Sequence, residues 1–92
     1  MARKMNISLK CAAGAITMFW AWVDDKKVIS DDGTQERKWE GDVGEKVHIT
    51  VRVAGIGQAK YQFSINLPNT INNQKMEFSL KGGYHDFKLE TT

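Results

Sequence analysis

A chain of 92 residues, 41% hydrophobic and 26% charged, has the size and composition of one soluble domain spanning residues 1–92, and little remains for a second core. Thirteen Lys and Arg against eleven Asp and Glu leave a formal net charge of +2, too small to argue for nucleic acid or an anionic membrane as partner. Cys11 is the only cysteine, so no intrachain disulfide is possible, and a reducing compartment such as the cytoplasm is favoured.

Period-two alternation runs through nearly the whole chain. Met5, Ile7, Leu9 and Cys11 alternate with Asn6, Ser8 and Lys10, which predicts a first strand over residues 4–11 with one apolar face. Cys11 falls on that face, where a buried thiol acts as a small hydrophobe. Residues 12–14 then make a tight connection. Arg3, Lys4 and Lys10 ahead of the apolar stretch 11–23 have the charged-then-apolar look of a signal peptide. Gly14 and Thr17 interrupt that stretch, no small-residue cleavage pattern follows, and Asp24 and Asp25 come directly after. It is also too short to cross a bilayer as a helix. Neither a signal peptide nor a membrane span is expected.

The second strand, residues 15–23, is apolar on both sides. Ile16, Met18, Trp20 and Trp22 share one face, and Phe19, Ala21 and Val23 the other. Filling the core with Trp20 and Trp22 is the expected arrangement, and the opposite side then needs a cover. After a turn at residues 24–26, a short third strand covers 27–30. Asp31, Asp32 and Gly33 form a hairpin signal, because Asp-Gly supplies the positive φ that such turns need. A fourth strand follows over 34–40. The glycine-rich loop 41–44 precedes a fifth strand, 45–54, in which Val47, Ile49, Val51 and Val53 alternate with His48, Thr50 and Arg52.

Residues 55–58 (Gly-Ile-Gly-Gln) close a hairpin onto a sixth strand, 59–67. There Tyr61, Phe63, Ile65 and Leu67 alternate with Gln62, Ser64 and Asn66. The longest connection, 68–73, is the expected crossing between sheets. A seventh strand, 74–81, meets an eighth, 84–90, across the hairpin Gly82-Gly83. Short strands at regular spacing predict an all-β fold: a two-sheet antiparallel β-sandwich of seven to eight strands, immunoglobulin-like in character, with a small open β-barrel as the other possibility. Ile49, Val51, Phe63, Ile65 and Phe78 are expected to be buried together.

No chemical motif outweighs a structural explanation. Asp24, Asp25, Asp31, Asp32 and Asp42 all fall at turns, but none has the spacing of a calcium loop, and Lys26 and Lys27 would repel a cation. His48, His85 and Cys11 fall on faces that do not converge, and both histidines read as exposed strand residues. Gly55 and Gly57 make a G-x-G with no helix to present to a phosphate. No catalytic residue, metal or cofactor is therefore expected.

Trp39 stands among Arg37, Lys38, Glu40 and Gly41, which makes it the best candidate contact residue, with Arg37 in phase beside it. Tyr84 is a second candidate stacking residue. Arg52 and Gln62 lie on what reads as one polar face of strands five and six, suited to a protein or a polysaccharide. The chain thus reads as a non-enzymatic interaction module that binds a protein partner, or forms a homodimer, through a sheet face or edge. The alternative is a carbohydrate-binding module with Trp39 stacking on a sugar.

Overall fold

A computed structural model of the chain describes residues 3–44, 46–66 and 74–91. Eight strands account for most of them: β1 (Arg3–Ala13), β2 (Ile16–Val23), β3 (Lys26–Asp31), β4 (Arg37–Val43), β5 (Val47–Gly55), β6 (Lys60–Asn66), β7 (Gln74–Ser79) and β8 (Tyr84–Thr91). They form two four-stranded antiparallel sheets, ordered β4-β1-β6-β7 and β3-β2-β5-β8. The protein is a two-sheet β-sandwich, and no helix occurs among the described residues.

Alternation builds the core from both sheets. Met5, Ile7, Leu9, Tyr61, Phe63 and Ile65 come from the first sheet; Phe19, Ala21, Ile29, Val47, Ile49, Val51 and Val53 come from the second. Aromatic edges lock the layers together. The Phe19 and Tyr61 rings meet at 6.3 Å between centroids, and Phe63 and Phe87 at 5.1 Å. Ile49, Val51, Phe63 and Ile65 are buried as expected. Phe78 is only half-buried, because edge strands β7 and β8 leave that side of the sandwich less covered; its ring stacks on Phe87 at 4.7 Å.

Turn positions are close to those expected, but their meaning is not. β3 and β4 belong to different sheets, so Asp31-Asp32-Gly33 carries the chain from one layer to the other and closes no hairpin. Gly33 is buried, and a Cβ there would collide with the Ile16 side chain. The glycine serves that close approach. Residues 55–58 likewise pass from β5 in one sheet to β6 in the other, and Gly82-Gly83 from β7 to β8. Both of those last glycines do have positive φ, at 63° and 81°, and a bridge from Lys81 to Tyr84 closes the turn.

The expected crossing at residues 68–73 lies outside the described residues, and the strands on either side of it, β6 and β7, are neighbours in one sheet. A hairpin within one sheet joins β2 to β3 through Asp24 and Asp25, both left-handed at φ 50° and 67°. The Asp24 carboxylate accepts the His48 backbone N–H at 3.0 Å and its own N–H reaches the His48 carbonyl at 2.8 Å. This ties the turn to the start of β5.

The second strand reverses its expected orientation. Phe19, Ala21 and Val23 face the core, whereas Trp20 and Trp22 are half-buried on the outside. Register gives the reason. Trp20 pairs with Arg52 and Trp22 with Thr50, so turning the indoles inward would carry the Arg52 guanidinium into the core beside them, at a large desolvation cost. A register shift between Ile16 and Met18 lets Ile16 reach the core as well, and the Thr17 hydroxyl donates to the Ala54 carbonyl at 3.0 Å.

Candidate interaction surface

Two outer faces result, and they differ in chemistry. On the first sheet, Asn6 pairs with Asn66 and Ser8 with Ser64. These short side chains leave a shallow groove of about 570 Å³ flanked by Lys38 and Glu40. Ile7, Trp39 and Ile65 lie beneath it, part of the sheet whose inner side packs on the core. The groove's charged groups are matched: Lys4 lies 3.6 Å from Glu40 and Lys38 3.4 Å from Glu36.

The outer face of the second sheet is aromatic and cationic. β2 contributes Met18, Trp20 and Trp22; β5 contributes Thr50, Arg52 and Ala54; β8 contributes Tyr84, Asp86 and Lys88. Lys27, Trp22, Thr50 and Lys88 form one cross-strand row, and Ser30, Trp20, Arg52 and Asp86 the next. The Arg52 guanidinium carbon lies 5.4 Å from the Trp22 ring centroid and the Lys27 ammonium 5.9 Å. Both distances are within cation–π range. Trp22, Thr50, Arg52 and Lys88 line a groove of about 340 Å³ together with a single carboxylate, Asp25. Tyr84 is exposed, and its hydroxyl lies 3.4 Å from the Asp86 carboxylate.

The five residues singled out by sequence therefore divide. Arg52 and Tyr84 share the aromatic face. Gln62 lies on the opposite side of the molecule, where its amide donates to Glu77 at 3.3 Å. The single polar face expected for strands five and six is in fact two faces, since β5 and β6 belong to different sheets. Trp39 opposes the buried Ile7, packs against the core, and has its ring laid over Gly41, where a Cβ would collide with it.

Arg37 acts within a turn. Its guanidinium holds the Asp32 carboxylate at 2.7 Å and the Asp32 carbonyl at 3.0 Å, with Asp31 at 3.7 Å. Thr34 bonds, followed by Arg37, hold the Asp32 carboxyl down to about 2 from its ordinary 3.8. Trp20 and Trp22 are the surface residues that the pattern hid. The readable hint was Lys27, which a two-residue turn at Asp24-Asp25 places opposite Trp22.

The nucleophilic and basic side chains stand apart. Cys11, expected to be buried, is half-buried at the rim and its thiol points to the Gly14 carbonyl at 3.4 Å. His48 is exposed, with Nδ1 3.4 Å from Glu90. His85, expected to be exposed, faces inward. It is half-buried, stacked on Phe78 at 4.8 Å between centroids, with Nδ1 2.6 Å from the Tyr61 hydroxyl. Burial, with a smaller contribution from Asp86, pushes the Tyr61 phenol above its ordinary range, so the hydroxyl stays protonated. Among the described residues, no group of three or more His, Cys, Asp or Glu is placed to hold a metal ion. No helix there is long and apolar enough to cross a membrane. Comparison with protein-family models, with curated proteins and with solved structures finds no match to this chain.

Proposed function

We propose that the domain is a non-enzymatic interaction module that binds a protein partner through the outer face of β3-β2-β5-β8. One observation carries this reading: Trp20, Trp22, Arg52 and Tyr84 share a solvent-facing sheet surface. Trp, Tyr and Arg are the residues most enriched at the energetic centres of interfaces, because each offers a large flat contact area together with a polar handle. Half-exposed indoles on a central strand keep apolar area in water that a partner would remove. A second copy of the chain is one possible partner, through a two-fold contact.

A photo-reactive residue placed at Thr50 tests the reading, with one at Ser8 on the opposite sheet as control. A discrete protein adduct, or a crosslinked dimer, is expected from position 50 and not from position 8. Equal adducts from both positions, or none from position 50, overturn it.

The groove of the first sheet supports a second reading, binding of a polysaccharide chain. Asn6, Ser8, Ser64 and Asn66 offer amide and hydroxyl groups in a strip, with the half-buried Trp39 among the groove's lining residues. Titration with oligosaccharides should then shift the Asn6 and Asn66 side-chain amide signals. Shifts confined to the tryptophan face, or no shifts, dispose of it.

A further inference from the structure

The chemistry of the partner can be narrowed further. We infer that the groove between Trp22, Thr50, Arg52 and Lys88 takes an acidic side chain of a peptide segment; this rests on the aromatic face being the interaction surface. Surface cations of this domain differ in what they lie against. Lys4, Lys38 and Arg37 each have a carboxylate within ion-pair distance, whereas Lys10, Lys60 and Lys75 on the first sheet have none among the described residues and lie over no aromatic ring. On the aromatic face, Lys27, Arg52 and Lys88 have none among the described residues. Two of the three lie against the Trp22 ring instead.

Asp86 is the cross-strand neighbour of Arg52, yet its carboxylate makes no ion pair with the guanidinium and instead accepts from the Tyr84 hydroxyl at 3.4 Å. The guanidinium is thus left over the Trp22 ring on an exposed side chain with no carboxylate partner among the described residues. Arg stacked on an aromatic ring is pre-oriented, and its planar fork fits a carboxylate with two parallel hydrogen bonds. Lys88 adds a second positive charge across Thr50, and the Thr50 hydroxyl can donate to the same anion. The indole supplies an apolar wall for the methylene stem of a glutamate. Against these two cations the groove sets one carboxylate, Asp25, whose removal should therefore strengthen binding.

The probes are an all-glutamate decapeptide, its all-lysine counterpart and heparin, titrated into the full chain at low and high salt and followed by amide spectra. The glutamate peptide should shift Trp22, Thr50, Arg52 and Lys88 and the two outer indole N–H signals, with binding that weakens as salt rises. The lysine peptide should not. Paired substitution Arg52→Glu and Lys88→Glu should weaken binding by about tenfold or more. Asp25→Asn, which keeps a residue tolerant of positive φ, should tighten it by roughly twofold. Both cations are solvent-exposed, so the fold should survive, and unchanged core signals in the same spectra verify that it does.

Undiminished binding by the paired variant, shifts mapping to the other sheet, or no binding overturns the inference. So does heparin binding at these residues more tightly than the peptide, which would make the groove a general polyanion site. The Thr50 crosslink separates this failure from that of the underlying reading. An adduct that forms equally in the paired variant ends the acidic-segment assignment and leaves the interaction face standing.

Discussion

Phe63 shows how much one residue holds in a domain of this size. It is fully buried, and its ring touches Phe87 across the gap between the sheets. Truncation to Ala should cost about 3–5 kcal/mol, lost transfer energy plus the cavity left behind, measured by chemical denaturation. A loss below about 1 kcal/mol would mean that the core relaxes to fill the space. Tyr61 tests a different force. Its phenol is ordinarily acidic near 10.0 and is pushed above that by burial. Because the folded-state value is the higher one, its contribution is fully present below pH 10 and falls as pH rises through the folded value. Tyr61→Phe should flatten this alkaline loss while costing about 1–2 kcal/mol at neutral pH for the unpartnered His85 nitrogen. An alkaline limb unchanged in the variant assigns the loss elsewhere. Asp32 works in the other direction. Its carboxyl is depressed to about 2, so its contribution is present above 3.8 and fades as pH falls toward 2. Replacing Arg37 with Ala should move the Asp32 titration, followed by carbon chemical shift, part of the way back upward, with the Thr34 bonds retaining the rest.

At the scale of elements, β2 and its two connections carry the informative details. Gly33→Ala should destabilise by about 1–3 kcal/mol, since the new methyl meets both the side chain and the carbonyl of Ile16 and one of the two segments must shift. Thermal unfolding reads this directly, and a neutral result would place the connection further from β2. Asp25 sits at φ 67°, a conformation glycine adopts without the steric penalty of a Cβ. Asp25→Gly should therefore raise the melting temperature slightly, whereas Asp24→Gly should not, because its carboxylate bonds to His48.

The same strand shows where sequence stops being informative. Alternation and turn signals together located all eight strands to within a few residues, and alternation works where polar and apolar side chains label the two faces of a half-buried strand. On β2 both faces are apolar and the label vanishes. Only the partner register, Trp20 to Arg52 and Trp22 to Thr50, decides which face is inside. His85 escaped for a related reason: a polar ring at an inward position is tolerated because Tyr61 satisfies its nitrogen. Turn residues revealed where the chain reverses but not which sheet it enters next. Glycine and aspartate answer to local backbone geometry, which is similar in a hairpin and in a tight passage between layers.

For the whole molecule, the two outer faces assign the domain a direction. One presents short amides and hydroxyls; the other presents indoles with two cations laid against one of them. If the aromatic face also mediates self-association, sedimentation should show a mass that rises with concentration, and the Arg52→Glu and Lys88→Glu pair should alter that dependence. A mass independent of concentration would leave a different protein as the partner. Connectivity has a consequence of another kind. Chain neighbours β1 and β2, β3 and β4, β4 and β5, β5 and β6, and β7 and β8 each lie in opposite sheets. β1 must wait for β6, where Asn6 finds Asn66, and β5 for β8, where Val47 finds Thr91. Neither sheet can assemble from a contiguous stretch of chain, so loop-closure entropy has to be overcome before most pairings form. Refolding should accordingly take milliseconds to seconds. On the ribosome, the apolar face of β1 emerges well before the strands that complete its sheet, an interval in which a chaperone or a neighbouring nascent chain can reach it first.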